Sequence, residues 1–143
     1  MPEMRVLLVD DEVDFIQTLS KRLEIRALKA DIACAGQKAI SIAQEQEPDV
    51  VVLDLKMPGM DGIEVLRLMK QAYPCIQVII LTADGTEKDI REAEKLGAFD
   101  FLKKPVEIEM LLNEIRAAYK KKLELTMPAF TFTKEGDLQC EKL

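Results

Sequence analysis

The sequence predicts an α/β protein with a doubly wound sheet of five parallel strands, and three observations carry that expectation. Short, nearly uninterrupted apolar runs at residues 6–9, 50–53, 78–81 and 99–102 have the length and composition of strands covered on both faces. Amphipathic segments of helical length alternate with these runs. Each run is followed at once by polar residues: Asp10-Asp11, Asp54, Thr82 and Lys104-Pro105.

The elements follow in order. After the first strand, Val13, Ile16, Leu19, Leu23 and Ala27 fall at helical spacing. A second strand at residues 31–35 is less apolar than the others, which suits a sheet edge. Gly36 opens a second helix carrying Ala39, Ile40 and Ala43, which ends before Pro48. The third strand, residues 50–53, leads through Asp61-Gly62 to a helix with Ile63, Leu66 and Met69, stopped ahead of Pro74. The fourth strand precedes a highly charged helix at residues 87–96, with Gly97 placed as its C-terminal cap. Pro105 suits the start of a fifth helix, striped by Ile108, Leu111, Leu112 and Ile115. Right-handed crossovers then close a flavodoxin-like sheet of order 2-1-3-4-5.

Composition bounds the function. A chain of 143 residues supports one domain, and 48% hydrophobic with 32% charged residues suits a folded globular chain. A net charge of −6 argues against nonspecific nucleic-acid binding. The run Lys120-Lys121-Lys122 reads as a solvated last helical turn, where cations oppose the helix dipole. Cys34, Cys75 and Cys140 show no metal-ligand spacing, and the absence of histidine removes the usual zinc sites, histidine bases and phosphohistidine. The first strand starts too near Met1 to leave room for a signal peptide, and no apolar stretch is long enough to span a bilayer. A reduced, cytoplasmic setting is the expectation.

Parallel strands bring the four polar signals to one sheet edge, where open α/β sheets bind ligands. Asp10, Asp11 and Asp54 would meet there. Unit charges about 4 Å apart repel by about 4 kcal/mol at an effective dielectric near 20, so three clustered carboxylates call for a cation. Mg²⁺ suits an oxygen-ligand site that keeps positions open for phosphate. Helix N-capping is the structural alternative for Asp10-Asp11, but it leaves Asp54 unexplained. A carboxylate at residue 54 could attack a phosphoryl group and hold it as an acyl phosphate. Lys104 would offset the developing charge, and the Thr82 hydroxyl would bond a phosphate oxygen.

The chain resembles the receiver domains of two-component response regulators over about residues 4–122. The matching segments are Leu7-Leu8-Val9-Asp10-Asp11-Glu12, Leu53-Asp54-Leu55-Lys56-Met57-Pro58-Gly59-Met60-Asp61-Gly62, Leu81-Thr82-Ala83, Leu96-Gly97-Ala98 and Phe101-Leu102-Lys103-Lys104-Pro105. The resemblance implies that Asp54 accepts a phosphoryl group from the phosphohistidine of a sensor histidine kinase or phosphotransfer protein. It implies that Asp10 and Asp11 hold Mg²⁺, with Asp11, Asp54 and the backbone carbonyl of Lys56 as direct ligands. Thr82 would move onto the phosphoryl group, Lys104 would pair with it, and Phe101 would be the aromatic that moves with Thr82. Many family members carry Tyr at that position, so here the ring tip has no hydroxyl to bond. The responding surface would be the fourth helix, fifth strand and fifth helix, meeting an effector protein, a linked output domain or a second copy of the chain.

Two other functions compete. An aspartate-nucleophile phosphatase would use the same Mg²⁺, Thr and Lys, but places a second acid where this chain has Lys56. A receiver-fold binding module that is never phosphorylated would have no need of the full set Asp10, Asp11, Asp54, Thr82 and Lys104. The receiver is expected to span residues 1–123. Residues 124–143 read as a tail or linker, or as a short hairpin, with Phe130-Thr131-Phe132-Thr133 alternating like a strand and Glu135-Gly136-Asp137 turn-like after Pro128.

Overall fold

The computed structural model describes residues 4–126, 129–132 and 138–141. Strands β1 (Val6–Val9), β2 (Ala30–Ala33), β3 (Val50–Leu53), β4 (Gln77–Thr82) and β5 (Asp100–Lys103) form one parallel sheet in the order β2-β1-β3-β4-β5. Helices α1 (Val13–Ile25), α2 (Gly36–Glu45), α3 (Gly62–Ala72), α4 (Glu87–Lys95) and α5 (Ile108–Thr126) connect or follow the strands. The expected sheet is the one found, and the weak second strand lies at an edge.

Alternation along the strands divides the core in two. Leu7, Val9, Val51, Leu53, Val78 and Ile80 face α2, α3 and α4, meeting Ala39, Val65, Leu66, Met69 and Ala93. Val6, Leu8, Val50, Val52, Ile79 and Leu81 face α1 and α5, meeting Ile16, Leu19, Leu23, Leu111, Leu112 and Ile115. Every residue of β1, β3 and β4 is buried, which is why these strands read as continuous apolar runs and not as alternating ones.

The helix ends explain the small departures from expectation. Ala27, at helical spacing, lies past the end of α1 with φ of 63°, and its N–H donates to the Glu24 carbonyl while Leu28 N–H donates to Leu23. That is the Schellman closure, here with Ala in the left-handed position usually held by Gly. Gly97, with φ of 94°, closes α4 the same way: Gly97 N–H donates to Glu94 and Ala98 N–H to Ala93. Val13 is 46% exposed and takes no part in the core. Helix α5 begins at Ile108, three residues beyond Pro105, and runs past residue 123 to Thr126. Strand β5 sits one residue later than expected, at Asp100–Lys103.

Strands β6 (Ala129–Phe132) and β7 (Leu138–Glu141) pair antiparallel in a two-stranded sheet of their own. Pro128, Thr133 and the turn-like Glu135-Gly136-Asp137 lie outside the described residues.

Candidate functional site

Parallel register is what assembles the site. Val9 of β1 pairs with Leu53 of β3, so Asp10 and Asp54 leave adjacent strands at the same level. Asp10 N–H donates to the Ala33 carbonyl and Asp54 N–H to Val9, carrying the ladder one residue further on each strand. Thr82 ends β4 and pairs with Lys103, and Lys104, next after β5, donates its N–H to the Thr82 carbonyl. Asp10 and Asp54 are 4% and 5% exposed, so both carboxylates depend on partners for solvation.

The partners are specific. The Thr82 hydroxyl donates to Asp54 Oδ1 at 2.7 Å, and Lys56 N–H reaches the same oxygen at 3.4 Å. Lys104 Nζ donates to Asp10 Oδ2 at 2.7 Å and Glu12 Oε1 at 3.1 Å, and stands 4.0 Å from Asp54 Oδ2. Asp10 Oδ1 accepts the backbone N–H of Glu12 at 2.9 Å. Glu12 itself is the N-cap of α1 and makes no side-chain cap bond, so Asp10-Asp11 is not a capping pair.

Burial pushes the Asp10 carboxyl above its ordinary range, and the Asp54 charge adds to that. Hydrogen bonds from Lys104 and from Glu12 N–H pull it down without cancelling the rise. For Lys104 burial alone would favour the neutral amine. Its bonds to Asp10 and Glu12 and the charges of Asp10 and Asp54 outweigh that and hold the ammonium above its usual value. Among the described residues, the carboxylates of Asp10, Glu12 and Asp54 share the single ammonium of Lys104.

Among the described residues, one group of carboxylates has ligand spacing: oxygens of Asp10, Glu12 and Asp54 lie within 4.8 Å of one another. Asp11, half-buried beside them, is not in that triple. Glu12 was visible in the sequence as a third acid in a row, but only the turn into α1 aims it at Lys104. An all-oxygen cluster short of positive charge fits a hard divalent cation.

The loop after Asp54 is shaped by a close approach. A Cβ on Gly62 would lie 2.2 Å from the Asp54 carbonyl oxygen and 2.5 Å from Leu55 Cα, so only Gly lets α3 begin against this turn. Gly62 N–H donates to the Leu55 carbonyl, and Asp61 caps α3 by accepting Glu64 N–H. On the next loop, Thr86 and Asp89 form a reciprocal capping box at α4. Asp89 also pairs with Lys56 at 3.4 Å, tying α4 to the residue two after Asp54. The Thr-x-x-Asp spacing was legible in the sequence, whereas the ion pair was not. Phe101 is half-buried, and its ring tip fills the space that a side chain on Gly85 would need, beside the methyl of Thr82.

Known proteins resemble this chain in sequence and in fold. The chain is 39% identical over 125 residues to sporulation initiation phosphotransferase F of Bacillus subtilis, covering 87% of this chain and 98% of that protein. It is 33% identical to the transcriptional regulatory protein TrcR of Mycobacterium tuberculosis over 96% of this chain, and spans 54% of that protein's length. Among solved structures, a response regulator receiver domain protein from Clostridium thermocellum superposes with a TM-score of 0.81 at 34% identity, covering 86% of this chain and 99% of that one. The sequence model for the response regulator receiver domain matches residues 6–116, and with the fold and these relatives in agreement, the chain belongs to the receiver domain family of two-component response regulators.

Proposed function

We propose that the chain is a phosphorylation-driven switch whose acceptor is Asp54, loaded from the phosphohistidine of a sensor histidine kinase or phosphotransfer protein. The observation that carries this reading is the convergence on one buried carboxylate of a hydroxyl at 2.7 Å and an ammonium at 4.0 Å, with a second carboxylate beside them. An Asp54 carboxylate oxygen attacks phosphorus, an O–P bond forms, and the N–P bond of the donor breaks with its electron pair leaving on nitrogen. Oδ1 is engaged by Thr82, while Oδ2 stands 4.0 Å from Lys104 Nζ, beyond hydrogen-bond distance.

Asp10, Glu12 and Asp54 fit a divalent ion; the family resemblance adds Asp11 and the Lys56 carbonyl to the residues that would hold Mg²⁺. Such an ion would supply charge neutralisation for phosphoryl transfer. The chain's own groups do the rest. Lys104 exchanges Asp10 for a phosphoryl oxygen, and the Thr82 hydroxyl, released from Oδ1, donates to another. Phe101, packed against Gly85 and Thr82, responds to that movement, and the change is read on α4, β5 and α5 by an effector protein, a linked output domain or a second copy of the chain.

Lys56 takes the place where an aspartate-nucleophile phosphatase would carry its second acid, and its ammonium is paired with Asp89. Receiving a signal therefore fits better than turnover. The test is labelling by a small phosphodonor with Mg²⁺: the wild-type chain gains an acid-labile, hydroxylamine-sensitive phosphoryl group and Asp54→Asn does not. Equal labelling of Asp54→Asn sinks the assignment.

A further inference from the structure

Lys104 has a neighbour that the phosphoacceptor reading does not use. Its Nζ lies 4.1 Å from the centroid of the Phe15 ring, on α1. The Lys104 side chain is only 10% exposed, so the contact is largely shielded from water. An ammonium over an aromatic face is attracted by the ring quadrupole, and more strongly when desolvated. Phe15 is also half-buried, packed on the α1–α5 side of the core, so the ring cannot easily turn away.

The chemistry of phosphoryl transfer makes this contact useful. An ammonium has three N–H donors and no acceptor, and two of them are spent on Asp10 and Glu12. The third N–H is open to a phosphoryl oxygen on Asp54, and the bond to Asp10 is given up as the ammonium turns toward that group. During that exchange Glu12, whose side chain is 63% exposed, would draw the ammonium toward solvent. A ring face holds the charge without claiming an N–H, so the hydrogen bonds can change partners while the nitrogen stays over the crevice.

We propose that Phe15 is a positioning residue for Lys104: its ring keeps the ammonium in place as a hydrogen bond passes from Asp10 to a phosphoryl oxygen on Asp54. The inference rests on Asp54 being the acceptor, and it concerns the rate of transfer once the donor is bound. A large apolar side chain at residue 15 would serve the core equally well, which separates packing from positioning.

The experiment compares Phe15→Leu, Phe15→Met, Phe15→Tyr and Phe15→Trp with the wild-type chain. Acetyl phosphate and Mg²⁺ are the donor and ion, and each variant's fold is checked by its thermal midpoint. Leu and Met slow the saturating labelling rate at least about threefold with the half-saturating donor concentration unchanged, while Tyr and Trp stay within about twofold of wild type. In the unphosphorylated wild type, the ε-methylene protons of Lys104 resonate upfield of the other lysines through the ring current, and lose that shift in Phe15→Leu. A labelled wild type with Phe15→Leu equally fast, or with all four variants equally slow, overturns the positioning role. A wild-type chain that takes no label overturns the phosphoacceptor reading, and this inference with it.

Discussion

At the scale of single residues, the carboxylates are the groups whose surroundings set their behaviour most strongly. Asp10 and Asp54 are buried at strand ends and answered by Lys104 and Thr82, which the order of polar signals in the sequence already suggested. Glu114 on α5 was not anticipated, because its environment is made by Asp100 on a different element. Burial, a hydrogen bond with Asp100 and that residue's charge raise its carboxyl to about 7, and Glu114 Oε2 is buried without a hydrogen-bond partner. Between its ordinary value and about 7, the native chain keeps a proton that the unfolded chain has released. Native stability therefore falls as pH rises through that window. Glu114→Gln removes this part of the fall, so denaturation midpoints at about pH 5 and about pH 8 lie closer together than in wild type. An unchanged gap would show that the proton is held elsewhere.

At the scale of elements, periodicity revealed which strands and helices exist, and tertiary contacts decided where they end. Ala27 and Val13 share the spacing of Ile16, Leu19 and Leu23, yet one closes the helix with a positive φ and the other is exposed. Hydrophobic spacing cannot see a chain reversal that is set by where β2 must pair. The weakness of β2 was legible because an edge strand has less to bury. Gly62 shows a constraint that composition hides: its hydrogen lies where the Asp54–Leu55 backbone passes. Gly62→Ala must push α3 off the loop after Asp54, at a cost of about 1–3 kcal/mol typical of overpacking. Urea denaturation reads that loss as a lowered midpoint, and a variant as stable as wild type would mean the loop has room to yield.

At the scale of the whole molecule, a doubly wound sheet gathers residues 10, 54, 82 and 104 at one end and leaves α4, β5 and α5 next to them. This gathering was legible in the sequence because parallel strands all present their carboxyl ends on one side. The contacts that cross between elements were not: Glu12 with Lys104, Lys56 with Asp89, and Phe15 beneath the ammonium depend on how helices settle on the sheet. The account stands or falls on which atom carries the phosphoryl group. Borohydride reduces an aspartyl phosphate to homoserine, so peptide mass mapping of the phosphodonor-treated and reduced chain identifies the acceptor directly. Homoserine at position 54 and nowhere else is the predicted result; homoserine at position 10 or 11, or a phosphoryl group left on Thr82, would contradict it.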